Sequence, residues 1–372
     1  MPSCELCTRT VCRGGYQCVS FQKLNSAKIY AAAYLIERLD LSGLHLKSLP
    51  RDYFRGLEHV YHVDLSNNDF EHLQWWTLEH LTNLWSLRIT DNPRLKTVSD
   101  AVRNVAHTLG AMYIYNCPYL SHDTWLFGVP FPKLTSLHIG NCGLKCVGRF
   151  RRAPLLKLLD LMGNEIRTIR PNAFANLHAL SWLLLSENRL TQFDPACLSP
   201  TSRLVRLNLE MNRISAIPPL GAYPALTELE EIYLSNNRIH HLRSDTFTGL
   251  NRIGDIDLSN NYLTYLEAGV FKFESTRWIV VILDGNLGLF YIDPDCFSCH
   301  GEVHATNNPL LACEGRGAHF LDRLLVAQAE LIATIKKSRF LTFHEDLIAT
   351  VFHPTRIEKL ITAHGLEALD AF

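Results

Sequence analysis

The chain repeats itself, and the repeat limits what it can fold into. The segments LEHVYHVDLSNNDF, LLKLLDLMGNEI, LSWLLLSENRL, LEEIYLSNNRI and IGDIDLSNNYL share one frame, L-x-x-L-x-L-x-x-N-x-L. Its ninth, or ladder, position is filled by Asn68, Asn92, Cys117, Cys142, Asn164, Asn188, Asn212, Asn237, Asn261, Asn286 and Asn308. Leu44 holds it in a degenerate first copy, and successive ladder residues stand 22 to 25 apart. Units this small cannot bury an apolar face alone, so the copies must stack. Length by itself suggests two or three compact domains for 372 residues. Leucine at roughly one residue in six argues instead for a single elongated core.

The frame explains its own residue types. Alternation on a short strand sends the fourth and sixth positions, such as Val63 and Leu65, inward. A buried Asn or Cys at the following turn can meet backbone groups that would otherwise lack partners. Later apolar residues, such as Phe174 with Leu177 and Phe247 with Leu250, close the other side of the core. The frame resembles the leucine-rich-repeat family. That resemblance implies an α/β solenoid, a right-handed horseshoe of about twelve repeats with parallel strands lining its concave side. The solenoid is placed at residues 28–312, between a Cys-rich N-terminal cap (1–27) and a helical C-terminal cap or docking segment (313–372). Repeats three, four and eleven each carry one extra residue after the ladder, as in Asp91-Asn92-Pro93-Arg94-Leu95. Repeats three to five are the least regular, and a helix is expected on the outer side from Asp100 to Thr108.

Eleven cysteines leave at least one unpaired within a monomer. Cys117 and Cys142 sit in the ladder as structural thiols. Cys4, Cys7, Cys12 and Cys18 crowd the N-terminus, where a local zinc site, disulfides and free thiols are all open readings. Asn308-Pro309 followed by Cys313 is similar to the start of the disulfide cap of extracellular leucine-rich-repeat proteins, but the Cys-x-Cys and Trp-Leu of that cap are missing. Residues 1–20 lack an apolar signal core, no stretch is long enough to span a membrane, and no asparagine begins an Asn-x-Ser/Thr sequon. These features favour a cytoplasmic protein over a secreted one.

After Cys313 the period becomes helical, with Phe320, Leu321, Leu324, Leu325, Ala329, Ile332 and Ile335 on one face. Further helical stretches hold Leu347 to Phe352 and, beyond Pro354, Ile357 to Leu369. The expectation is a lid on the last repeat, with a small docking module as the alternative. The string Glu345-Asp346-Leu347-Ile348-Ala349, then His353-Pro354-x-Arg356-Ile357-x-Lys359-Leu360-Ile361 and Gly365-Leu366-Glu367, resembles a short segment in proteins of large nucleocytoplasmic DNA viruses. That likeness implies a protein made in an infected cell and acting on host factors.

Signatures of catalysis are absent: there is no phosphate-binding loop, no His-Glu-x-x-His, no Gly-x-Ser-x-Gly and no dinucleotide fingerprint. The 17 histidines scatter over the repeats, and no cofactor is implied. A formal net charge of -1 excludes a nucleic-acid binder acting through a broadly basic surface. The 27 residues before the repeats are too few for an F-box-type ligase module, although the tail could recruit degradation or trafficking machinery.

Function is therefore expected on the concave strands, where the third, fifth and seventh frame positions point outward. Across repeats four to seven these are Tyr113, Tyr115, His138, Leu158, Met162, Trp182 and Leu184, an aromatic and apolar run. Farther on come Glu210, Glu231, Asp255 and Asp257, with Tyr233 among them. Exposed aromatics of this kind mark protein interfaces. The sequence predicts a monomeric, non-enzymatic scaffold for a protein partner. The rival is a secreted recognition module with disulfide-capped repeats.

Overall fold

A computed structural model describes residues 8–11, 17–20, 37–122, 128–150, 152–199, 203–273, 277–289, 291–297, 301–308 and 315–316. Twelve short strands, one per copy of the frame, run parallel in one sheet from Arg38–Asp40 to Gly301–His304. Neighbours in sequence are neighbours in space. The register keeps equivalent frame positions side by side, so Val63 lies beside Leu87, Leu183 beside Leu207, and Ile232 beside Ile256. These inward residues are fully buried.

Reversed strands close the sheet at both ends. Thr8–Val11 runs antiparallel to Gln17–Ser20, which lies parallel to Arg38–Asp40. At the far end, Gly315–Arg316 runs antiparallel to Gly301–His304. Cys18 belongs to the strand Gln17–Ser20. Cys4, Cys7, Cys12 and the helices expected over residues 319–369 lie outside the described residues.

The ladder asparagines stitch successive repeats together. Asn188 Nδ2 donates to Leu161 O of the repeat before and to Leu185 O and Ser186 O of its own, while its Oδ1 accepts from Ile166 N. Asn212, Asn237 and Asn261 repeat the pattern. Cys117 and Cys142 offer only a weak thiol donor, which reaches Ile89 O and Tyr115 O, and Ile114 O and Gly140 O, respectively.

Immediately before the ladder, the backbone turns left-handed in all twelve repeats, with φ between +52° and +69°. Gly43, Gly163, Gly285, Asp91 and six asparagines fill ten of these positions. Glu187 and Met211 fill the other two, against the steric preference of residues with a long side chain.

On the outer side the expected helix runs from Ser99 to Val105, burying Ala101, Val102 and Val105. Elsewhere the outer side is built of single 3-10 turns, such as Pro195–Cys197 and Pro294–Cys296, and of short parallel pairings. Cys146–Val147 pairs with Thr168–Ile169, Tyr265–Leu266 with Tyr291–Ile292, and single bridges join Phe174 to Leu198 and Phe271 to Phe297. Stacked phenylalanines fill the space between the two sides. Phe247 lies 5.6 Å from Phe271, and Phe271 lies 5.0 Å from Phe297.

Candidate binding face

The strands place the outward-pointing residues on the concave face in the expected columns. Tyr113 and Tyr115 come from Ala111–Tyr115, His138 from Ser136–Gly140, and Leu158 from Leu158–Asp160. Met162 follows that last strand, Trp182 and Leu184 come from Trp182–Leu184, and Tyr233 from Glu231–Tyr233. Pairing sets Tyr113 beside His138, and Leu158 beside Trp182. Trp182 is exposed; the other seven are half-buried.

The run is less apolar than the residue names suggest, because its polar atoms are spent on one another. The Tyr115 hydroxyl donates to Asp160 Oδ2 at 2.6 Å and lies 2.8 Å from His138 Nδ1. His138 Nδ1 stands 3.2 Å from the same carboxylate oxygen, and its Nε2 is 2.7 Å from Ser136 Oγ. Met162 N donates to the other Asp160 oxygen. Tyr113 stacks on the His138 ring at 4.7 Å, with Arg88 over its other side. Burial alone would raise the Asp160 carboxyl, but hydrogen bonds from His138, Tyr115 and Met162 N outweigh it and hold the group below the usual range. Burial, together with the Asp160 charge, pushes the Tyr115 hydroxyl up.

A second group lies two repeats along. The Arg206 guanidinium covers the Trp182 ring at 4.5 Å, and its Nε sits 2.5 Å from Glu231 Oε2. The Tyr233 hydroxyl donates to the same Glu231 oxygen at 2.9 Å. The Arg206 hydrogen bond lowers the Glu231 carboxyl against the opposing effect of burial, and burial with Glu231 pushes Tyr233 up to about 12. Beside it, burial and the Glu231 charge raise Asp255.

Asp160 and Arg206 were missing from the sequence-level site. Both occupy outward frame positions, so the frame marks them as readily as it marks Glu210, Glu231, Asp255 and Asp257; they are the charges that bind the aromatics together.

Ser136, His138 and Asp160 line up in the order of a hydrolase triad, yet the surroundings do not suit one. The backbone N–H groups of Thr135 and Ser136 both donate to Gly110 O within the sheet. They therefore cannot serve as donors to a developing oxyanion. Asp160 is also shared with Tyr115. The group is a polar brace that fixes the shape of the face.

A profile of the leucine rich repeat family matches residues 35–93, 132–190, 154–214 and 227–279. The human Podocan-like protein 1 is 29% identical over 245 residues, covering 63% of this chain and 45% of that protein. Human Keratocan is 28% identical over 183 residues, covering 48% of each. The chain spans under half the length of the podocan relatives it matches. Among solved structures, a TLR13–ssRNA13 complex superposes with a TM-score of 0.68 at 22% identity, covering 78% of this chain and 42% of that one. A Toll–Spatzle complex gives 0.62 at 21% identity, covering 77% and 43%. At these identities the structural matches show the fold alone.

The fold and these relatives are those of non-enzymatic structural or binding proteins. They also correct one expectation. Podocan, podocan-like protein and keratocan are secreted proteins of the extracellular matrix, which points to a secreted chain and overturns the cytoplasmic placement. That placement leaned on absences, whereas the likeness rests on residues the chain has. Among the described residues, no helix is long and apolar enough to cross a membrane.

Proposed function

Because the chain belongs to the leucine-rich-repeat family, we propose that it is a secreted recognition protein that holds a protein partner on its concave face, across repeats four to nine. The carrying observation is Trp182. Among the described residues it is the only exposed large hydrophobic at an outward concave position, and the Arg206 guanidinium lies over its ring. Trp, Tyr and Arg at the centre of a patch supply most of the energy of a protein interface. The neighbouring brace of Tyr115, His138 and Asp160 supports this reading, since groups already held in place lose little freedom when a partner binds.

The test is capture of extracellular-matrix protein by the purified chain, with mass spectrometry identifying what is retained. Trp182→Ala combined with Tyr113→Ala should abolish capture while leaving the thermal melt within a few degrees of the parent. Unchanged capture of the same partner by the double variant would sink this site.

A further inference from the structure

The convex side carries a cluster with no part in the concave face. Asp52 lies in the outer turn of the first repeat, and Glu79 and His80 in the outer turn of the second. His80 Nε2 stands 2.8 Å from Asp52 Oδ1 and 3.8 Å from Glu79 Oε1, and all three donor atoms lie within 4.8 Å of one another. We propose that Asp52, Glu79 and His80 form a binding site for a divalent cation of the zinc class, which clips two consecutive outer turns together.

Donor chemistry selects the ion. One imidazole nitrogen with two carboxylate oxygens suits zinc, whereas calcium and magnesium take shells made of oxygen alone. Spacing agrees. With bonds of about 2.0–2.1 Å, tetrahedral ligand atoms stand about 3.3 Å apart. The observed 2.8 and 3.8 Å from His80 bracket that separation, and the remaining pair, Asp52 with Glu79, lies within 4.8 Å, so side-chain adjustment closes the site.

Glu79 Oε1 supplies a further observation. The atom is shielded from solvent and accepts no hydrogen bond, so its desolvation is already complete. Arg51 Nε lies 3.6 Å from it, which balances charge without a hydrogen bond. The Arg51 side chain is largely exposed and can withdraw into water as a cation enters. The bound ion takes the place of the Nε2 hydrogen that His80 directs at Asp52, and the neutral imidazole then carries its one N–H on Nδ1. Nothing in the linear sequence signals the site, because Asp52 and His80 are 28 residues apart and meet only when the repeats stack.

The test uses the full chain and zinc alone, followed by calorimetric titration and thermal melting. Parent protein should bind one more zinc ion per chain than either His80→Gln or Asp52→Asn. Its melting temperature should rise by several degrees with zinc, and those of the variants should rise less. Cobalt in this site should give visible bands without thiolate charge transfer, which separates it from the N-terminal cysteines. Equal stoichiometry in parent and variants, or a cobalt signal that is wholly thiolate, overturns the proposal. If one variant melts differently without metal, Glu79→Gln replaces it and must show the same loss of one ion.

Discussion

At the scale of single residues, the repeat makes two demands side by side. The ladder position needs a side chain that donates to carbonyls of two repeats and accepts from a third group, and asparagine meets all of it. The position before it needs a left-handed backbone, which Asn, Asp and Gly accept at least cost. Met211 sits there with φ +52° and an exposed side chain. Met211→Asn should therefore raise stability by about 1 kcal/mol, read as a shift of the urea midpoint at constant slope. The first demand is plain in the sequence because the ladder asparagine is a fixed landmark. The second is visible there too, as the Asn-Asn and Asp-Asn pairs, but only backbone angles show why Glu187 and Met211 are exceptions.

At the scale of elements, the strands Ala111–Tyr115, Ser136–Gly140 and Leu158–Asp160 are joined by side chains as well as by backbone. Asp160 is the shared acceptor. Its carboxyl titrates lower in the folded chain than in the unfolded one, so its contribution is fully present above the ordinary carboxylate range and fades as pH falls through the folded value. Asp160→Asn should cost about 2 kcal/mol near neutral pH, the worth of hydrogen bonds to a charged group. In acid-titrated melts the gap between parent and variant should narrow below about pH 4. A gap independent of pH would mean that the brace does not depend on the charge. The alternation of the strands made the face legible, since outward and inward positions follow from period two alone. The brace was not legible, because Tyr115 and Asp160 are 45 residues apart and only the stacking order brings them within reach.

For the whole molecule, the twelve copies were countable from the ladder spacing, and the sheet order follows them one by one. The compartment was not countable in this way, since no physical feature of a folded repeat requires it to stay inside a cell. Twelve strands stepping about 4.8 Å apart extend the sheet over roughly 50 Å. A compact chain of 372 residues would have a radius of gyration of about 21 Å. Small-angle scattering should give a clearly larger value at the forward intensity of a single chain. A value at or below the compact figure would contradict an extended solenoid.

The outer side sets how that length bends. Where parallel bridges such as Phe174 to Leu198 and Phe271 to Phe297 tie neighbouring outer turns, the outside of the coil advances by the same step as the inside. A coil with equal steps on both sides has little cause to curl. Among the described residues, only the helix Ser99–Val105 is thick enough to wedge the outer side apart, and it connects the strand Ser86–Arg88 to Ala111–Tyr115, which carries Tyr113. Curvature should therefore be greatest beside that helix. A bend at that helix would put the Tyr113–His138 stack and its brace on the inside of the curve, where neighbouring side chains crowd together rather than spread apart.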